Sequence, residues 1–229
     1  MQRKTDQPVG QRKTLAQLAY ERIKNDILSC ALKPGESIST AQIANGLQIS
    51  SMPVRGALTR LEVEGWVVIL PQRGVFVSKI TPEELHENFV VRSRLEGLSA
   101  NLSCSYITEA ELTILRRLSR EMRQYATVNT KRWFRANTQF HETIIQCSQN
   151  ETLVRLLAEL RHQSMRSRVV TQLVPGHTIR RGSEHKRILE ALAAKNGDLA
   201  EQAMREHLLA SGAELVDYML KQRSADQLS

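Results

Sequence analysis

Four side chains in the C-terminal two thirds of the chain have the chemistry of metal ligands. They are Asn137, His141, His185 and His207. Asn137 and His141 stand four residues apart in one predicted helix, so their side chains share a face, about 5–6 Å apart at Cβ. An amide oxygen and three neutral imidazoles suit a borderline divalent cation and leave positions open for a carboxylate ligand. The spacing alone equally allows each histidine to be an ordinary core or surface imidazole.

These residues lie in a stretch, 81–229, that reads as helical throughout. Thr81-Pro82-Glu83-Glu84 combines an N-cap, a proline at the first helical position and a capping-box glutamate, and Thr108-x-x-Glu111 repeats the box. Further helices are predicted over 131–148, 151–171, 183–195 and 198–221, separated by Asn150, Pro175-Gly176 and Asn196-Gly197. We therefore expect an all-α bundle of six to seven helices without strands.

The first 80 residues have a different pattern. Residues 1–13 are polar and are predicted to be a mobile arm, and apolar residues from Leu15 to Ile27 then recur at helical spacing. Thr40 is expected to cap a second short helix, and Ser50-Ser51 a third. Two apolar runs, 66–70 and 75–77, flank the turn Pro71-Gln72-Arg73-Gly74 and predict a β-hairpin. Three helices followed by a basic-tipped hairpin are typical of a winged helix-turn-helix.

In such a domain the third helix enters the major groove, and its first residues contact bases and phosphates. Arg55 is the strongest candidate, because its planar guanidinium can pair with two acceptors on guanine. At the hairpin tip, Arg73 suits the electronegative minor groove and Gly74 lets the backbone approach the duplex. The full set of predicted DNA-binding residues is Thr40, Ser50, Ser51, Met52, Arg55, Thr59, Arg73 and Gly74.

Composition agrees with a polyanionic partner. The formal net charge is +8, and the first 80 residues carry 11 Lys/Arg against 6 Asp/Glu. A basic segment predicts contact with nucleic acid or an anionic membrane. Three widely spaced cysteines form no Cys-x-x-Cys pair, and the longest purely apolar run covers only residues 66–70. We expect a cytoplasmic protein that does not span a membrane.

Residues 34–77 resemble the N-terminal domain of GntR-family regulators. The resemblance rests on the Pro34-Gly35 turn, a Ser-x-x-Pro-Val-Arg opening at residues 50–55, the Leu-x-x-x-Gly-Trp exit at 61–66 and Arg-Gly-x-x-Val at 73–77. Two positions depart from the family pattern. Ser51 stands where a basic residue is usual and Gly56 where glutamate is usual, which alters the expected DNA contacts.

Residues 83–222 resemble the FCD-type ligand-binding domain of the FadR subfamily, in segments such as NTQFHETIIQCSQN and SEHKRILEALAAKNGDLAEQAMREHL. The resemblance implies a pocket in which an aspartate and three histidines hold a metal that engages an organic acid. These positions map to Asn137, His141, His185 and His207. Asparagine lacks the carboxylate's charge, so a weakened zinc or nickel site is expected, with metal-free binding as the alternative. Arg92, at the family's Arg-x-x-Leu-Glu position, is expected to bind a carboxylate, or alternatively to form a salt bridge or a domain-interface contact.

The resulting hypothesis is a homodimeric, ligand-responsive repressor with domains 1–80 and 81–229, which recognises a two-fold symmetric DNA operator and a small carboxylate. An architectural DNA-binding protein without an effector is the first alternative. A metal-dependent hydrolase using His141 and Glu142 is disfavoured, because a His-Glu-x-x-His motif would need histidine where Ile145 stands. We therefore predict that the protein is not an enzyme.

Overall fold

The computed structural model describes residues 13–226, apart from the side chains of 161–166 and 226. The chain divides into two compact units between Lys79 and Ile80. The predicted fold class, a winged helix-turn-helix followed by an all-α bundle, is confirmed. Almost all of the predicted N-terminal arm lies outside the described residues.

The first unit contains three helices and three strands, and a small apolar core holds them together. Buried side chains from the helices, including Ile23, Leu58 and Leu61, surround Trp66 where the chain enters the sheet. The elements are α1 Leu15–Leu28, β1 Ser37–Ile38, α2 Thr40–Leu47, α3 Ser51–Val63, β2 Val67–Leu70 and β3 Gly74–Val77.

The sheet is larger than the predicted hairpin. Its order is β1-β3-β2, both pairs are antiparallel, and β1 joins through Ser37 opposite Phe76. Two residues are too few to show the alternation of apolar and polar side chains that predicts a strand, so β1 could not be predicted from the sequence. At the turn, Gly74 has φ of 108°, a conformation that L side chains rarely adopt.

The expected cap of the second helix is one residue off. The side chain of Ser39 accepts a hydrogen bond from the backbone N–H of Gln42, and Thr40 is the first helical residue. Both positions carry a hydroxyl, so composition could not separate them. Ser50 is the N-cap residue of α3 by backbone conformation, without a side-chain capping hydrogen bond.

The second unit is the predicted six-helix bundle, and no strand occurs in it among the described residues. Capping boxes at Thr81 and Thr108 begin the first two helices, as expected. The elements are α4 Pro82–Tyr106, α5 Glu109–Tyr125, α6 Thr130–Cys147, α7 Glu151–Leu173, α8 His177–Ala193 and α9 Gly197–Asp226. All six contribute to one apolar core, for example through Leu85, Leu115, Phe140, Val170, Ile188 and Leu208.

Helix α8 begins at His177, six residues before the predicted start. Gly176 takes a left-handed conformation with φ of 70° and ends the preceding turn, so the helix starts directly after it. Glycine has no side chain that could cap the helix, so the sequence prediction placed the start of the helix too late. The extra turns place His177 and Arg181 on the same helix as His185.

Helices α4 and α9 pack closely and antiparallel. A Cβ at Gly212 would lie 2.7 Å from the Phe89 side chain, and one at Gly97 would lie 2.7 Å from that of Arg205. These glycines let the two backbones approach, which fixes the face of α4 that turns toward the bundle interior. None of the helices in the described part of the chain has the length and apolar character of a membrane span.

Candidate functional site

Three buried histidines converge inside the bundle from α6, α8 and α9. His141, His185 and His207 each place one ring nitrogen within 4.8 Å of the others. Their ring centroids lie 4.5–5.7 Å apart. Asn137 lies one turn before His141, and its Oδ1 is buried without a hydrogen-bond partner among the described residues. The structure thus brings the three predicted histidine ligands together. It places the amide of Asn137 on the same helix as His141.

Two glutamates orient two of the imidazoles. Glu96 accepts a hydrogen bond of 2.7 Å from His141 Nδ1, and Glu184 accepts one of 2.7 Å from His207 Nδ1. An ionised carboxylate only accepts, so each Nδ1 carries the hydrogen and each Nε2 keeps its lone pair. This carboxylate–imidazole arrangement is the usual support of metal-bound histidines.

His185 is the most deeply buried of the three, and neither ring nitrogen makes a hydrogen bond of normal geometry to a described residue, although the Arg181 backbone is a weaker polar contact of the ring. Aromatic rings surround it, with the centroid of Phe140 at 5.1 Å and that of Trp133 at 6.4 Å. Burial lowers its pKa well below the ordinary value, and the neighbouring His207 and His141 lower it further, with only the Arg181 backbone acting in the opposite direction. His185 is therefore a neutral imidazole at physiological pH.

Glu96 also binds Arg92, the predicted carboxylate-binding residue. Arg92 contacts Glu96 Oε1 at 2.8 Å, which is the salt bridge considered as its alternative role. Burial would raise the pKa of Glu96, but Arg92 and His141 together lower it to about 2. The carboxylate therefore remains charged and keeps both partners in place.

A cavity of about 130 Å³ opens beside the histidines. Its wall includes Arg92, Asn137, His141 and His207, so the predicted ligand-binding residues other than His185 face one space. Apolar and aromatic side chains form much of the remainder, including Phe89, Trp133, Phe134, Leu157 and Leu208. A small molecule with a polar group and a short apolar body would match this lining.

A second set of polar side chains lies in the same wall of the cavity, one helical turn from His185 and His207. Glu214 accepts a hydrogen bond of 2.8 Å from His177 Nδ1, and Ser211 Oγ lies 3.3 Å from His177 Nε2. We call Ser211, His177 and Glu214 the Ser211 relay. Arg181 bonds to both Glu184 and Glu214, and its Nε is buried without a partner.

The donor set fits a divalent metal. The imidazoles of His141 and His207 are oriented so that Nε2 is free to bind a metal. The third, that of His185, makes no hydrogen bond of normal geometry to a described residue. A buried polar group without a partner destabilises the fold, so its presence argues for a ligand that the described residues do not supply. Histidine nitrogens and an amide oxygen are ligands that zinc and related metals accept.

The predicted DNA-binding residues lie together on the first unit. Ser50, Ser51, Met52, Arg55 and Thr59 are all exposed at or along α3, and Met52 is 81% exposed. Arg73 and Gly74 are exposed at the turn between β2 and β3. A Cβ at Gly56 would meet nothing within 4 Å, so α3 presents an open face. Thr40, at the start of α2, is half-buried.

Several residues of the cavity escaped the sequence analysis. Glu96 follows Arg92 by four residues, and Ser211 follows His207 by four. The same spacing connects His177, Arg181 and His185 along α8. This helical spacing was a usable signal, but on α8 it needed the correct start of the helix.

Comparisons with known proteins identify the family to which this winged helix-turn-helix and helical bundle belong. Residues 15–77 match the family "Bacterial regulatory proteins, gntR family", and residues 87–210 match the FCD domain. The chain therefore belongs to the GntR family of transcriptional regulators and carries an FCD domain. Regulators of this family bind DNA and typically form dimers.

Individual relatives extend over most of the chain. It is 30% identical to the uncharacterized HTH-type transcriptional regulator YdhC of Bacillus subtilis, over 82% of this chain and 85% of that protein. It is 27% identical to the HTH-type transcriptional repressor RspR of Escherichia coli, over 88% and 86%. The E. coli McbR/YncC structure superposes with a TM-score of 0.75 at 22% identity, covering 90% of this chain and 99% of that one.

These relatives are regulators and not enzymes, as the sequence analysis predicted. The order serine, histidine and glutamate in the relay nevertheless occurs in hydrolase active sites. Burial lowers the pKa of His177 to about 3, with Arg181 and Arg180 adding to the effect. So weak a base does not activate a serine efficiently at neutral pH. The relay is consequently a hydrogen-bonding unit.

The depressed pKa of His177 predicts a pH-dependent stability. The unfolded chain takes up a proton at this histidine near pH 6.5, whereas the folded chain does so only near pH 3. Its contribution is complete above pH 6.5 and is lost as the pH falls toward 3. Replacing it by glutamine should reduce the loss of unfolding free energy between pH 7 and pH 5 by about 2 kcal/mol, measured by urea unfolding.

The matched control for this comparison is His86→Gln, which removes an exposed histidine of α4. Its pH profile should run parallel to that of the unaltered protein. Parallel profiles for His177→Gln as well would show that His177 protonates alike in the folded and unfolded chain.

Proposed function

We propose that the protein is a ligand-responsive transcriptional repressor. The domain of residues 1–80 binds DNA, and the domain of 81–229 binds a small organic acid through a metal and forms the dimer. The observation that carries the proposal is the cluster of three buried histidines, two of which line one cavity together with Asn137. In an architectural DNA-binding protein without an effector, buried polar atoms that lack a hydrogen-bond partner among the described residues would only destabilise the core.

The charges of the cavity favour an acid as the effector. The three imidazoles are neutral ligands and Asn137 offers a neutral oxygen, so a divalent zinc or nickel ion would keep its full charge there. A buried, uncompensated charge is unfavourable, and a carboxylate that completes the coordination would neutralise part of it. The asparagine should also weaken binding of the metal alone, relative to an aspartate.

Arg92 is suited to the same acid. A guanidinium has five N–H donors, and Glu96 accepts only from Nε and Nη2 of Arg92. The side chain also lines the cavity. We assign its remaining donors to the effector's carboxylate, with Glu96 holding the arginine in position.

On the DNA side, we assign base contacts to the first turn of α3 and minor-groove contact to Arg73 at the wing. The exposed serines at 50 and 51 can donate hydrogen bonds to phosphates, while Arg55 reaches a guanine edge. A dimer would then read a two-fold symmetric operator, with half-sites about 34 Å apart. Because bacterial genomic DNA lies in the cytoplasm, we propose that the protein acts there.

The repressor assignment draws on the relative RspR, which is described as a transcriptional repressor. In a repressor, the effector reduces DNA affinity by favouring a conformation that binds DNA poorly. A coupling of about 1–3 kcal/mol between the two sites is enough to change operator occupancy strongly.

DNA release tests the proposal as a whole. The full-length protein with added zinc is bound to a fragment that it selects from a random library, and acetate, lactate, 4-hydroxybutyrate, succinate, citrate and gluconate are titrated into gel shifts. At least one acid should lower DNA affinity about 5–150-fold. His185→Ala should bind the same fragment without responding. If no acid changes the affinity, the architectural alternative is favoured.

Arg55→Ala tests the recognition helix. The loss of a bidentate base contact should weaken binding to the selected fragment by about 1–3 kcal/mol and relax its sequence preference. Arg22→Ala is the matched control, because Arg22 is an exposed arginine of α1 that pairs with Asp26. Equal effects of the two substitutions would show that Arg55 contributes only general charge.

Asn137→Asp tests the metal site by calorimetric titration of zinc and nickel in acid-free buffer. The carboxylate should bind metal at least about tenfold more tightly than the asparagine, because it adds a charge at a position that now offers only a dipole. His185→Ala should abolish binding, whereas His86→Ala should not alter it. Metal-free ligand binding would be favoured if neither the unaltered chain nor Asn137→Asp took up metal.

A further inference from the structure

The hydrogen bonds of the Ser211 relay determine which groups are offered to the cavity. Glu214 accepts the hydrogen of His177 Nδ1, so Nε2 is the acceptor and Ser211 donates its hydroxyl hydrogen to it. Ser211, which lines the cavity and is 7% exposed, then presents lone pairs to a ligand. It acts as an acceptor.

Arg181 offers the complementary donor. Its side chain lines the same cavity and is 5% exposed, and its Nε–H is buried without a hydrogen-bond partner among the side chains that the structure describes. Both terminal nitrogens are already bonded to glutamates. An acceptor and an unsatisfied donor therefore belong to one stretch of wall.

The charges around this wall are balanced. Arg181 pairs with Glu184 and Glu214, and Arg180 also pairs with Glu214. Two cations thus face two carboxylates. A further carboxylate would meet no excess positive charge there and would face the lone pairs of Ser211, whereas a hydroxyl can donate to Ser211 and accept from Arg181.

We propose that Ser211 and Arg181 form a second ligand subsite that recognises a hydroxyl group of the bound acid, so that the effector is a hydroxy acid rather than a dicarboxylic acid. The inference rests on the proposed function, because it needs an acid whose carboxylate lies at the histidines. Ser211 follows His207, and Arg181 precedes His185, by four residues. The hydroxyl therefore lies about 6 Å from the carboxylate.

Three acids of equal chain length test this subsite. Butyrate, 4-hydroxybutyrate and succinate differ only in a terminal methyl, hydroxyl or carboxylate group. In calorimetric titrations of the full-length protein with added zinc, 4-hydroxybutyrate should bind about tenfold more tightly than either of the others. Ser211→Ala should reduce its preference over butyrate to less than about twofold. Ser148→Ala, which alters a buried serine outside the cavity, should keep the preference.

Glu214→Gln gives the reciprocal result. It removes one negative charge beside Arg180 and Arg181 but keeps an oxygen acceptor for His177, so the preference should move from 4-hydroxybutyrate toward succinate. Tightest binding of succinate by the unaltered protein, or a hydroxyl preference that survives Ser211→Ala, would overturn the subsite while leaving the acid-binding function intact. Failure of all three acids to bind would overturn the subsite, and it would overturn the acid-binding function as well if none of the six acids acted in the gel shifts.

Discussion

The hydrogen bonds that His141 donates to Glu96 and that His207 donates to Glu184 are the constraint on which the rest of the site depends. Each fixes the tautomer of a buried imidazole and aims its Nε2 in one direction. Each glutamate has an arginine partner, Arg92 or Arg181, that opposes the effect of burial on its pKa; the pKa of Glu96 is lowered, whereas burial leaves that of Glu184 raised. The geometry of the histidine cluster thus depends on two largely buried ion pairs, which would be costly if either partner were lost.

The architecture of the bundle explains how these groups meet. Helix α4 supplies Glu96 from a face that close packing against α9 turns inward, and glycines at 97 and 212 permit that packing. Helices α8 and α9 supply successive turns of polar groups, with His185 and His207 on one level and Arg181 and Ser211 on the next. A ligand that extends along the two helices therefore meets two different chemistries one helical turn apart.

Much of this arrangement was accessible from the sequence, and the failures have physical causes. The histidines were recognisable because type, helical spacing and the family resemblance all agreed. Glu96 was missed, because helical spacing relates it to Arg92 but cannot show that another partner, His141, comes from 45 residues away. Strand β1 was too short to show a period, and α8 begins after a left-handed glycine without a side-chain cap.

The buried amide of Asn137 and imidazole of His185, neither of which makes a well-formed hydrogen bond to a described residue, are the clearest physical reason to propose a ligand at this cluster. Each unsatisfied buried group costs about 1–3 kcal/mol relative to an apolar residue that fills the same space. His185 stands among Phe140 and Trp133, where a leucine would pack without that penalty. A bound metal would satisfy His185 and Asn137 at once, and its binding energy would add to the stability of the folded chain. Buried ligand atoms that destabilise the metal-free bundle but stabilise the metal-bound one would couple metal binding to the stability of the bundle. The proposed sensor requires such a coupling.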